Sequence, residues 1–390
     1  MITNIQLLRA LAALGVVLYH TNFRLWGDIH TEFQGVSLFF VISGFIITFV
    51  SQKKNENFLL HRFIRIAPVY WLVTFIFIVL LFLGSQHTRL YLTVLTGLLL
   101  LIYQYPKQEG KFIKYLRNGI YIAISFFVLK CFRPSNLHAY YENYFSFTAF
   151  AKSLLFLPGR DVNNDIHPIM GIGWTLNIEV FFYVVFGLWM FISRRLAPLL
   201  TCLVLIGLHV YNNLIGCEND FCILYSHDYT YYFIFGVALY YIHEIITHYK
   251  VKIRKDFALI FAAFSAVILI CANTVFTLFP TSYEWHMLYA GPFLAVLSAI
   301  LCHKADLRMK GGFWLLLGNA SYSLYLIHSM VLETMRPFLQ RTGLPSFSDN
   351  IFSLLVTIAM SIFVAIVFYK KIEYPLLQFL RKHIDRKKTA

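Results

Sequence analysis

The sequence predicts an all-α fold, a polytopic bundle of about 10–12 transmembrane helices, and three observations lead there. Of its 390 residues, 59% are apolar or aromatic and only 13% are charged, too little polar surface to cover a water-soluble globule of this length. Apolar runs approaching the ~20 residues that a helix needs to cross a bilayer recur along the whole chain. Lys and Arg are distributed unevenly between alternate connecting segments, as they are in membrane proteins.

The runs lie at 5–22, 33–50, 68–85, 90–105, 118–132, 172–193, 197–215, 229–247, 256–275, 285–303, 312–333 and 350–371. The first contains Arg9, has no cationic stretch before it and no small-residue cleavage site after it, so it reads as a retained span and not a removable signal peptide. With the N-terminus inside and every run crossing, 24 of the 33 Lys and Arg fall in cytoplasmic segments and eight outside, with Arg9 within a span. That bias predicts an even number of crossings and both termini in the cytoplasm. It also absorbs most of the +14 net charge, and none of the spacings of nucleic-acid modules is present, so nucleic acid is not an expected partner.

The longest outer segment, 133–171, is too apolar between Phe145 and Leu157 for a simple solvated loop, and a re-entrant or interfacial piece is expected there. Residues 1–375 read as one transmembrane domain and 376–390 as a basic cytoplasmic tail attracted to anionic membrane lipid. Cys217 and Cys222 flank a short polar stretch on the outer side, where an oxidising compartment would favour a disulfide.

Ionisable groups within spans cost roughly 2.5–3.5 kcal/mol each on insertion scales, so each asks for a reason. Arg9 and His20 are eleven residues apart, within about 20° of three full turns, which puts them on one face of a helix separated by about 16 Å. Snorkelling to opposite interfaces is the alternative for either one alone. In the stretch His61 to Trp71, Leu59, Phe63 and Ile66 share one face while His61, Arg62 and Arg65 take another, and Pro68 predicts a bend at Ala67. Two guanidinium forks one turn apart suit bound phosphates, although for this motif alone positive-inside anchoring is the commoner explanation. Glu179 enters the outer end of a span five residues after Trp174, and Ser321, Tyr325 and His328 share a helix face at i, i+4 and i+7. His20, Glu179 and His328 map to the outer halves of their spans, and Arg9, Arg62 and Arg65 to the inner side. This is the arrangement of a group transfer across the membrane.

At these residues the chain resembles the acyltransferase-3 family of membrane O-acyltransferases, and within it the exopolysaccharide and Nod-factor acetyltransferases. The resemblance covers nearly the whole length. It rests on Arg9 and His20 with ten residues between them, on Arg62 and Arg65 as an R-x-x-R pair, on Gly173-Trp174-Thr175-Leu176-Asn177-Ile178-Glu179, and on Ser321-Tyr322-Ser323-Leu324-Tyr325-Leu326-Ile327-His328. Ser37 stands where the family commonly has Asp, so the resemblance assigns no carboxylate role at that position. The family's usual core of about ten spans makes one or two of the twelve runs interfacial.

The resemblance implies a membrane O-acetyltransferase of a bacterial inner membrane that takes acetyl from cytoplasmic acetyl-CoA and gives it to a hydroxyl of a cell-surface or lipid-linked saccharide, such as exopolysaccharide or lipopolysaccharide. No metal is expected. His20 is then the general base and Glu179 the group that orients or charge-stabilises it, Arg9, Arg62 and Arg65 hold the donor, and Trp174, Tyr325 and His328 line the acceptor site. Direct attack on the thioester is favoured over an acetyl-histidine intermediate. The rival reading is a transporter or flippase of a lipid-linked saccharide, since ionisable residues also line substrate paths, but the chain shows no internal repeat to support it.

Overall fold

The computed structural model describes residues 2–25, 29–30, 35–52, 57–82, 146–161, 163–278 and 284–386. Within them the chain is helical: α1 (Asn4–Thr21), α2 (Gly35–Ser51), α3 (Phe58–Phe82), α4 (Phe147–Leu154), α5 (Trp174–Ile192), α6 (Ala197–Leu214), α7 (Asp220–Tyr225), α8 (Thr230–His248), α9 (Lys255–Leu278), α10 (Glu284–Lys304), α11 (Phe313–Asn319), α12 (Ser321–Arg341), α13 (Ile351–Phe368) and α14 (Tyr374–Arg386). Two-residue strands β1 (Arg24–Leu25) and β2 (Ile29–His30) pair antiparallel between α1 and α2, a small exception to the all-α architecture. Ten of the twelve predicted runs are helices, as they must be where lipid offers backbone groups no partner. The other two, 90–105 and 118–132, lie outside the described residues.

Four helical stretches among the described residues are long and apolar enough to cross a bilayer: Phe58–Ile78, Gly171–Ile192, Ala197–Leu214 and Ile351–Lys382. The run 312–333, expected as one span, instead bends by 76° between α11 and α12. The cause is packing. α11 lies so close to α1 that a Cβ on Gly318 would sit 2.1 Å from the Gln6 carbonyl oxygen, whereas α12 turns inward and buries Ser321, Leu324 and His328.

α2 and α8 also pack backbone to backbone. A Cβ on Gly44 would lie 2.3 Å from Phe233 O, and one on Gly236 would lie 2.3 Å from Val41 O. Small residues are what allow helices to approach this closely without a hydrophobic drive between them in lipid. Phe45, Tyr70, Phe182, Phe186 and Phe233 are fully buried where α2, α3, α5 and α8 meet.

α3 runs as one continuous helix, Phe58–Phe82, with Pro68 inside it. Proline there removes the N–H that would have bonded the Ile64 carbonyl; separately, the Tyr322 hydroxyl donates to the Ile66 carbonyl at 2.8 Å and ties α12 to α3. Part of the apolar piece expected near 145–157 is α4, capped by Ser146 and fixed to α3 by Tyr70–Ser153 (3.0 Å) and by Trp71 Nε1 donating to Leu154 O (2.8 Å). Cys217 and Cys222 form a disulfide with Cα atoms 5.5 Å apart, directly before and within α7. The segment expected as a tail is helical to Arg386 and packs against α3.

Candidate functional site

A cavity of about 460 Å³ opens among α1, α2, α3, α5, α12 and α14. α1 supplies Arg9 and the first two turns of α3 supply His61, Arg62 and Arg65, so the amphipathic face read from the sequence turns its charges into this space. The Arg62 guanidinium lies over the Phe58 ring, 5.7 Å from its centre, and its Nε is buried with no hydrogen-bond partner among the described residues.

Glu179 faces the same cavity. Its Oε1 accepts hydrogen bonds from Ser43 Oγ at 2.6 Å and from the Tyr183 hydroxyl, and its charge acts on Arg9 and Arg62. The sequence reading set Glu179 beside His20; the structure gives it these partners instead. Five residues into α5 the carboxylate lies about 7.5 Å along the axis from Trp174, and the guanidinium groups of Arg9 and Arg62 are charges that act with it across the cavity. A partly buried carboxylate is held by such charges and by hydrogen-bond donors.

His20 is found with His328. The two ring centres are 4.8 Å apart, and His20 Nδ1 lies 3.3 Å from His328 Nε2. The partners fix the protons. His20 Nδ1 is 2.9 Å from Val16 O and His328 Nδ1 is 2.6 Å from Tyr325 O. A carbonyl only accepts, so both Nδ1 atoms carry hydrogen and His328 Nε2 is an acceptor. The His20 N–H is therefore shared between Val16 O and His328 Nε2, and the lone pair of His20 Nε2 is left available. His328 is fully buried, while His20 is partly open.

Tyr325 stands between the two groups. It lines the arginine cavity, yet its ring centre is 6.0 Å from that of His328. Its hydroxyl contacts Ile172 O (2.7 Å) and Thr175 Oγ1 (2.5 Å), which ties α12 to the start of α5. Trp174, next to Thr175, does not line the cavity and packs against Tyr229 and His227, with ring centres 5.2 and 5.9 Å away. Ser37 is buried and hydrogen-bonds Tyr232.

The shared face of Arg9 and His20 thus carries one residue to the cavity and the other to the histidine pair. The sequence alone assigned no site role to Ser43, Tyr183 or Arg381. Tyr183 follows Glu179 at i+4, a signal that was available, whereas Ser43 reaches Glu179 only through the packing of α2 on α5. Elsewhere Asp161, Asp165 and His167 bring ligand atoms within 4.8 Å of one another, but Asp161 Oδ1 already accepts from the Asn163 and Asp165 backbone N–H groups and serves the turn.

The sequence profile of the family described as "Acyltransferase domain" (Acyl_transf_3) matches residues 2–370. The chain is 26% identical over 356 residues to the exopolysaccharide production protein ExoZ of Rhizobium meliloti (strain 1021), covering 88% of this chain and 89% of that one. It is 25% identical over 403 residues to the peptidoglycan O-acetyltransferase OatA of Listeria monocytogenes, covering 96% of this chain and 56% of the relative. It is also 25% identical over 376 residues to the putative peptidoglycan O-acetyltransferase YrhL of Bacillus subtilis, covering 90% and 51%. The chain therefore spans about half the length of these two peptidoglycan relatives. No solved structure matches.

Proposed function

Since the chain belongs to the acyltransferase-3 family, whose profile spans residues 2–370, and is thus an acyl-transferring membrane enzyme, we propose that it carries acetyl from acetyl-CoA to a hydroxyl of a cell-surface or lipid-linked saccharide. The observation that supports this reading most is the division of labour along α1. A cation-lined cavity begins at Arg9, a histidine with an available Nε2 ends the same helix at His20, and Tyr325 joins the two. The excess of Lys and Arg on one side of the bundle supports a cytoplasmic donor side and an inner-membrane location.

In this mechanism Arg9, Arg62 and Arg65 hold the phosphates of the donor, since guanidinium forks match phosphate oxygens. The pantetheine arm passes Tyr325 and brings the thioester to His20. Nε2 takes the proton of the sugar hydroxyl as its oxygen attacks the thioester carbonyl. The new C–O bond forms, the C–S bond breaks, and the CoA thiolate leaves with the proton that His20 returns. The charge that His20 acquires is shared through its Nδ1–H with Val16 O and His328 Nε2. Glu179 acts on the donor side by balancing Arg9 and Arg62. Trp174, Tyr325 and His328 border the acceptor.

The test is purified protein in bilayers with radiolabelled acetyl-CoA and saccharide acceptors. The expected result is label on the saccharide as an ester that mild alkali removes. Movement of a lipid-linked saccharide across the bilayer with no label incorporated would favour the flippase reading instead.

A further inference from the structure

The cavity that holds Arg9, Arg62 and Arg65 receives a fourth guanidinium, Arg381, from the opposite end of the chain. After α13 the backbone passes through one π turn, Tyr369–Glu373, and continues as α14. Glu373 in that turn is buried. Its carboxylate accepts a hydrogen bond from Ser323 of α12, and its charge acts on Arg65 and Arg9. The segment therefore enters the site before α14 begins.

Arg381 follows Leu377 by one helical turn. Leu377 is buried against the protein, so i, i+4 spacing puts Arg381 on the helix face that turns toward the cavity it lines. There it lies near enough to Arg62 for the two charges to act on each other. Arg62 Nε is buried, whereas Arg381 is exposed, so Arg381 is the guanidinium on the open side of the cavity. Four guanidinium groups face two carboxylates, Glu179 and Glu373, among the described residues. Like charges gathered in a partly desolvated space repel unless an anion joins them. The orphaned Arg62 Nε is a second sign that a ligand oxygen belongs there.

We propose that Arg381 binds the 3′-phosphate at the nucleotide end of the acyl-CoA donor, which makes α14 a wall of the donor site. The inference rests on the donor reading above. An acyl-CoA has a slender pantetheine arm at one end and a bulky nucleotide at the other. The thioester must travel inward past Tyr325 to reach His20, which leaves the nucleotide at the opening. Its terminal phosphomonoester is the most highly charged group there and presents several oxygens to a fork. Arg62 and Arg65, deeper in, then meet the diphosphate.

The experiment measures binding of coenzyme A and of 3′-dephospho-coenzyme A to the purified full chain, to Arg381→Gln and to Lys382→Gln. Wild type should prefer coenzyme A by about tenfold, the scale of one charge-assisted hydrogen-bonded contact. Arg381→Gln should lose that preference by weakening coenzyme A binding alone, with 3′-dephospho-coenzyme A bound as by wild type, which also certifies the fold. Lys382→Gln should behave as wild type. A preference that survives in Arg381→Gln, or its absence from wild type, overturns the role of Arg381 and leaves the donor reading standing. No binding of either compound to wild type would instead overturn the donor reading, and this assignment with it.

Discussion

In the proposed mechanism, the atom of His20 that takes the proton is selected by the one already occupied. Val16 O and His328 Nε2 share the Nδ1–H, so a proton can be taken only at Nε2. His20→Ala should lower acetyl transfer by roughly 10²–10⁴-fold with expression and membrane insertion unchanged, because loss of an imidazole from an apolar span does not hinder insertion. Wild-type rates in that variant would remove His20 from the chemistry. His328→Ala deletes the acceptor without touching Nε2 and should cost kcat about tenfold, the worth of one ordering hydrogen bond. In the cavity, Arg62→Ala with Arg65→Ala should raise the KM for the acyl-CoA more than that for the saccharide, and Lys replacements should recover part of the loss. An effect confined to the saccharide KM would place these arginines elsewhere.

Among the elements, the α2–α8 contact is the most sensitive to a single methyl group. Gly44→Ala or Gly236→Ala drives a Cβ into the carbonyl of the facing helix, and backbone cannot yield as a side-chain tip does. The expected cost is at least the roughly 1–3 kcal/mol of an overpacked core, read as a lower midpoint in thermal size-exclusion of detergent-solubilised protein. Gly207→Ala, with nothing within 4 Å of the new Cβ, is the matched control and should be neutral or slightly stabilising. The Cys217–Cys222 link closes the turn into α7, where Asn219 Oδ1 accepts from Cys222 N at 2.8 Å. Replacing both cysteines with Ser should cost about 2 kcal/mol in the chain-entropy account of so short a loop, visible as faster proteolysis at that turn.

For the whole molecule, the charge bias predicts that reporters fused to either terminus face the cytoplasm and that the disulfide faces outward. A membrane-impermeant thiol reagent on intact spheroplasts should therefore label Cys217 and Cys222 only after reduction. Labelling that needs an opened membrane would invert the topology, and with it the side from which the donor enters. The helices themselves were legible in the chain: the runs 172–193, 197–215 and 229–247 correspond to Trp174–Ile192, Ala197–Leu214 and Thr230–His248. An apolar stretch in lipid has no conformation but the helix that satisfies its own backbone.

The bend at Ala320 was not legible, because a continuous apolar run looks the same whether it crosses straight or turns where Gly318 meets α1. The sequence by itself determined which segments are helical, the common face of Arg9 and His20, and the residue types of the site, since these follow from local hydropathy and the 3.6-residue period. Tertiary structure alone decided the partners. His20 meets His328 across 308 positions, Glu179 joins Ser43, Tyr183 and the arginines, and Arg381 returns from the last helix to the cavity that Arg9 begins. Period and hydropathy describe one helix at a time, whereas these contacts arise from how helices distant in sequence pack against one another.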